Sequence, residues 1–181
     1  MSLFLISAPS GAGKTTLMRQ VKAFFGEEVL REAVSDTTRP MRPGEQAGKD
    51  YHFISEDEFK ALLNGGQLCE SVKYGGHCYG LTRQELEENS SRHIYAIVEH
   101  EGYKQIKENY PDAIGIFLTM SKENCMANML LRGDSLDAAL KRINTYEDEI
   151  NTRASYDYVI KNVRGKEREI VSVLHGIIQS Y

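Results

Sequence analysis

Ala8-Pro9-Ser10-Gly11-Ala12-Gly13-Lys14-Thr15 follows a short apolar run, Leu3-Phe4-Leu5-Ile6, and precedes Leu17, Met18, Val21, Phe24 and Phe25 at helical spacing. The order reads strand, glycine loop, helix. In such a loop successive backbone N–H groups point to one place, and the positive end of the following helix adds to them, so the feature suits phosphate oxygens. Lys14 is placed to reach the β and γ phosphates of a nucleoside triphosphate, and Thr15 to offer its hydroxyl to Mg²⁺. Ala8 stands where the commonest form of the loop has its first glycine. Glycine turns without a ligand occur, but Gly13-Lys14-Thr15 between an apolar strand and an amphipathic helix favours the phosphate reading.

Working outward, apolar runs of strand length recur at Ile94 to Val98 and Ile114 to Leu118, each followed by a polar segment of helical character. Tyr158-Val159-Ile160 is a fourth candidate strand. The alternation predicts an α/β fold with a parallel sheet covered by helices. The 181 residues, 41% hydrophobic and 27% charged, suffice for a core without disulfides and exclude a disordered chain. No apolar run approaches the ~20 residues that span a bilayer. The 22 Lys+Arg against 26 Asp+Glu give a net charge of −4, which excludes the broad positive field of a non-specific nucleic-acid binder. A polyanion must therefore meet a local cationic site. Cys69, Cys78 and Cys125 are odd in number and lack C-x-x-C spacing, so they read as reduced core residues. No basic residue precedes the first apolar run, which argues against a secretory signal; a cytoplasmic location is the default expectation.

Residues 35 to 80 differ in texture, rich in Gly, Tyr and Arg with short apolar patches, and read as an inserted subdomain. Ser35-Asp36-Thr37-Thr38-Arg39-Pro40-Met41-Arg42-Pro43-Gly44-Glu45, then Gly48-Lys49-Asp50-Tyr51, sets two arginines three apart among hydroxyls and prolines. Guanidinium forks match phosphate oxygens and prolines stiffen the loop, although a solvated turn accounts for the same composition. Ser55-Glu56-Asp57-Glu58 has the form of a capping box opening a helix through Leu63, and Thr82-Arg83-Gln84-Glu85 repeats that form. Residues 121 to 147 carry Arg132, Lys141 and Arg142 on expected helices.

The string S-x-T-T-R-x-x-R-x-G-E…G-x-D-Y, preceded by P-S-G-x-G-K-T, resembles the guanylate kinase family. The likeness continues in order through Glu70, Tyr79-Gly80, Gly102, Arg132-Gly133 and Arg142, nearly the whole chain. It implies a P-loop kinase core over about 1–34, 92–120 and 155–181, an acceptor-binding subdomain over about 35–91 and a helical lid over about 121–154. The implied activity is ATP-dependent phosphorylation of GMP and dGMP with Mg²⁺, by a monomer or homodimer without nucleic-acid or membrane partners. ATP would then lie on Ser10, Gly11, Ala12, Gly13, Lys14, Thr15 and Thr16. GMP would lie on Ser35, Arg39, Arg42, Glu45, Tyr51, Glu70, Tyr79 and Thr82. Lys14, Arg39, Arg132 and Arg142 would be catalytic. The residue matching Glu70 reads guanine, which is chemically sensible because a carboxylate can accept from both N1–H and N2–H.

The departures from the family pattern are as informative. Tyr79-Gly80 is followed by Leu81 where the family usually has a hydroxyl supporting guanine O6, so Thr82 takes over, base selectivity is weaker, or the acceptor differs. The family's D-x-D-x-Q-G appears as Ile97-Val98-Glu99-His100-Glu101-Gly102, leaving Glu99 as a strand-end acid able to orient Mg²⁺ through water or simply exposed. Asn128 replaces the first lid arginine, and Asn162-Val163 keeps half of an N-D pair. His77 and His100 have no metal-site spacing. Tyr74 to Tyr79 can stack a base, though tyrosines in a half-buried sheet are commoner. Two other readings stand beside GMP phosphorylation: a related phosphotransferase with an altered small phosphorylated acceptor, and a non-catalytic binding domain of the same fold.

Overall fold

A computed structural model describes residues 1–87 and 91–181. The expected 35–91 subdomain includes residues 88–90, which lie outside the described residues. In chain order the elements are β1 (Leu3–Ser7), α1 (Lys14–Phe25), β2 (Leu30–Glu32), β3 (Asp36–Thr37), β4 (His52–Phe53), α2 (Glu56–Asn64), β5 (Leu68–Tyr74), β6 (His77–Thr82) and α3 (Arg83–Glu87). They continue as β7 (His93–Ile97), α4 (His100–Asn109), β8 (Ile114–Thr119), α5 (Lys122–Leu131), α6 (Leu136–Ile143), α7 (Tyr146–Asn151), a 3₁₀ turn (Thr152–Ser155), β9 (Tyr158–Lys161) and α8 (Glu167–Gln179).

The four expected strands are β1, β7, β8 and β9, and they form one parallel sheet in the order β2-β7-β1-β8-β9. β2 was not foreseen, because Leu30–Glu32 is too short to show a period. Both faces of this sheet are covered. Phe4 and Ile6 point with Ile116 and Leu118 into a core closed by Leu17, Met18 and Val21 of α1 and Leu174 and Ile178 of α8. Leu5, Ala96 and Phe117 point the other way, against Tyr103 and Ile106 of α4. Burial on alternate sides explains why β1 and β8 read as continuous apolar runs. β1 lies between β7 and β8 where the strand order turns back, so a crevice opens beyond its carboxyl end.

The middle of the chain builds a second sheet, order β4-β3-β6-β5, around the β5–β6 hairpin joined at Gly75-Gly76. Gln105 of α4 bonds both backbone groups of Ser71 on β5, at 2.9 and 3.2 Å, and so ties the second sheet to the first. The Ser55–Glu58 capping box is present and opens α2. The second expected box forms only by half: Glu85 N donates to Thr82 Oγ1 at 3.3 Å, while the Glu85 carboxylate turns to Arg31 at 2.9 Å and to Val34 N at 3.0 Å. Cys69 and Cys125 are buried as expected, and burial pushes their thiols up to about 12 and about 11. Cys78 departs from the expectation: it is only half-buried, near the start of β6 close to the Gly75-Gly76 turn. Among the described residues no helix is long and apolar enough to cross a membrane.

Candidate active site

The loop between β1 and α1 forms the floor of a cleft of about 900 Å³ that runs from the carboxyl edge of the parallel sheet to the second sheet. Ser10, Gly11, Ala12, Gly13, Lys14, Thr15 and Thr16 all line it. Gly11 has φ 82°, and a Cβ there would lie 2.3 Å from the carbonyl oxygen of Cys125, so glycine is needed both for the backbone and for the approach of α5. The Lys14 ammonium donates to the Ala8 carbonyl at 2.5 Å, folded back over its own loop. The loop is held from outside as well. Ser10 N donates to Glu149 of α7 at 3.2 Å, Asn128 Nδ2 donates to Gly11 O at 2.9 Å, and Asn162 Nδ2 donates to Ala12 O at 2.8 Å. Burial raises the Glu149 carboxyl, against the hydrogen bond from Thr145. The amides that open α1 have no carbonyl one turn before them and face the cleft.

Across the cleft stand Ser35, Arg39, Arg42, Glu45, Tyr51, Glu70 and Tyr79. The Arg39 guanidinium is 8% exposed and is gripped by Glu45 through two bonds of 2.8 and 3.0 Å. It lies 5.4 Å over the Tyr51 ring and 5.7 Å over that of Phe53. Glu45 also accepts from Arg42 N at 2.7 Å. Burial pushes the Glu45 carboxyl up, but the Arg39 and Arg42 bonds outweigh it and hold the group below its ordinary range. Glu45 is thereby committed to orienting Arg39, and its charge opposes an incoming phosphate. Glu45 lines the cleft beside Arg39 and Arg42. Tyr51 is buried enough that its phenol is pushed up to about 12.

Glu70 sits on β5 at 4% exposure with Oε2 lacking any hydrogen-bond partner. Gly102 of α4 makes the room for it, since a Cβ there would lie 2.7 Å from that oxygen. Burial first, and then the Glu99 charge, push the Glu70 carboxyl up to about 8. A buried carboxyl aimed at a cleft with nothing to accept from is an acceptor awaiting a donor.

One expectation, that Thr82 faces the acceptor, is corrected. Thr82 is not among the residues that line the cleft; it stands at the start of α3, where its hydroxyl accepts the Glu85 amide. Leu81 is fully buried in the apolar cluster beneath the second sheet and does not face the cleft either. Arg132 and Arg142 do line it, and both are bound to one carboxylate: Asp134 takes Arg132 at 2.6 and 3.0 Å and Arg142 at 3.5 Å. The Arg132 bond chiefly holds Asp134 below its ordinary range. Asp134 and Glu149 were missed by sequence reading, since a lone acid on a polar helix face carries no signal until its partner is known. Tyr74 and Tyr79 line the same wall as Glu70. Thr15 and Glu99, both exposed, offer hard oxygen donors to the cleft, and no group of three or more acids, histidines or cysteines among the described residues forms a metal cage. That set fits an ion such as Mg²⁺, which keeps its waters and takes phosphate oxygens.

A guanylate kinase family model matches residues 1–181. The chain belongs to the guanylate kinase family. The guanylate kinase of Geobacter metallireducens is 42% identical over 164 residues, 88% of this chain and 80% of that protein. That of Oceanobacillus iheyensis is 36% identical over 182 residues, 98% and 86% of the two chains. A crystal structure of guanylate kinase from Anaplasma phagocytophilum superposes with a TM-score of 0.78 at 26% identity, covering 99% of this chain and 85% of that one. Membership of the family and the α/β P-loop kinase fold thus rest on the whole chain rather than on its loop.

Proposed function

We infer that the protein transfers a phosphoryl group from ATP to GMP or dGMP. The observation that carries the reading is one cleft with a phosphate loop on one side and, on the other, an arginine–tyrosine cluster together with Glu70, whose buried Oε2 has no hydrogen-bond partner. The guanylate kinases to which the chain is similar support it, and no feature among the described residues favours an altered acceptor or a non-catalytic domain.

Both reactants are anions, so the chain's task is to neutralise and align them. Lys14 exchanges the Ala8 carbonyl for the β and γ phosphates, while the amides of Gly13, Lys14 and Thr15 hold them from the helix end. Arg39, pre-aimed by Glu45, and Arg42 take the acceptor phosphate with Ser35, Tyr51 and Tyr79. Glu70, once ionised, accepts from guanine N1–H and N2–H. Arg132 and Arg142 leave Asp134 for the transferring group as segments 121–154 and 35–91 close and exclude water. Thr15, with Glu99 through water, would hold Mg²⁺, which supplies charge neutralisation between the phosphates. No general base is required, because the acceptor is already a phosphate oxygen.

The test is ADP release from Mg·ATP with GMP, dGMP, AMP, CMP or UMP, each against a control without acceptor. Turnover confined to GMP and dGMP is expected. Equal turnover with AMP would overturn the role of Glu70, and no turnover with any of them would overturn the activity.

A further inference from the structure

Asn128 occupies a position where the resembled family carries a lid arginine, yet its side chain does not reach into the cleft as a cation would. Its amide donates to Gly11 O at 2.9 Å and lies 3.3 Å from the Met120 sulfur. Cys125 lies one turn earlier on the same face of α5, and its backbone carbonyl abuts Gly11 so closely that no side chain fits there. Two consecutive turns of α5 are therefore seated on the phosphate loop.

The consequence follows from peptide planarity. A carbonyl and the next N–H point in opposite directions, so fixing one aims the other. Gly11 O is fixed by Asn128, and Ala12 N, across the same peptide, turns inward to Pro9 O at 3.1 Å. Ala12 O is fixed by Asn162, which leaves Gly13 N–H aimed the opposite way. Two amides from distant parts of the chain thus set two adjacent peptide planes before any nucleotide arrives. Both amides line the cleft, but Asn162 is 6% exposed whereas Asn128 is half-buried, where water competes for Gly11 O if the amide is removed. Arg132 lies one turn beyond Asn128 with its side chain 45% exposed.

We propose that Asn128 is a positioning residue for the ATP phosphates, acting through the Gly11 carbonyl to preset the loop. The proposal rests on the reading of residues 8–15 as the ATP phosphate loop.

The test is calorimetric binding of Mg·ATP without acceptor, and separately of GMP, to wild type, Asn128→Leu, Asn128→Ala and Lys14→Met. Loss of one preorganising hydrogen bond is expected to weaken Mg·ATP about tenfold in both Asn128 variants and to leave GMP within about twofold. A merely structural role would move both nucleotides together. Unchanged Mg·ATP binding, or equal weakening of both ligands, overturns the proposal; if the leucine variant does not fold, the alanine variant decides. Wild-type Mg·ATP affinity in Lys14→Met would instead overturn the loop reading itself, whatever the Asn128 variants do.

Discussion

Binding of GMP should release a proton, and the proton should come from Glu70. Burial and the neighbouring Glu99 push its carboxyl up to about 8, so in the free protein at neutral pH the group is mostly protonated. Guanine presents donors, N1–H and N2–H, and these call for an ionised acceptor. If only the ionised form binds, the apparent Kd grows as 1 + 10^(8 − pH), about elevenfold at pH 7 and about a hundredfold at pH 6 above its alkaline limit. The same linkage releases about 0.9 proton per GMP at pH 7 and about 0.2 at pH 8.5. Calorimetry in two buffers of different ionisation heat measures that number directly. The range from pH 7 to 8.5 is chosen because the GMP phosphate, with a second pKa near 6, is already ionised there. Proton release near zero at pH 7, with a Kd independent of pH between 7 and 8.5, would refute both the elevated Glu70 and its contact with the base.

Further outcomes follow from the same geometry. Because the folded pKa of Glu70 lies above its unfolded value, its contribution to stability is present below about pH 4.5 and lost as pH rises toward 8, so Glu70→Gln should melt close to wild type at pH 5 and several degrees higher at pH 8.5. A constant difference across that range would count against it. Glu45→Gln removes the fork that aims Arg39 and should raise KM for GMP about tenfold with KM for ATP unchanged; steady-state kinetics with each nucleotide varied decides. Asp134→Asn frees Arg132 and Arg142 from their shared counter-ion and should lower kcat about three- to tenfold at nearly constant KM for both nucleotides, since the lid arginines act on the transferring group. A change confined to KM would remove that assignment.

Local pattern was enough for the loop, its strand and its helix, because an apolar run, a glycine turn and a 3.6-residue period are each written within a few consecutive residues. The same holds for β7, β8 and β9, whose burial on both faces leaves continuous apolar runs, and for the Ser55 capping box. β2 and the second sheet were not legible: β3 and β4 are two residues each, and their pairing partners lie far along the chain, where no periodicity can report them. Thr82 shows how a hydroxyl close in sequence to Tyr79 comes to stand outside the cleft, accepting the Glu85 amide at the start of α3. Glu45 and Asp134 show the converse, two acids whose meaning is the arginine each one holds.

What the sequence by itself determined was the set of chemical groups: a phosphate loop with Lys14, paired arginines in a stiffened segment, and Glu70 within the guanylate kinase pattern. What only the tertiary structure decided was their state. Glu70 became a buried carboxyl without a donor because β5 packs on Gly102 of α4, and Asn128 became a support of the loop because α5 lies against Gly11. The physical reason is common to both cases. Desolvation and hydrogen-bond partnership depend on what is close in space, and residues 11 and 128, or 70 and 102, are brought together only by the two sheets and the helices laid across them.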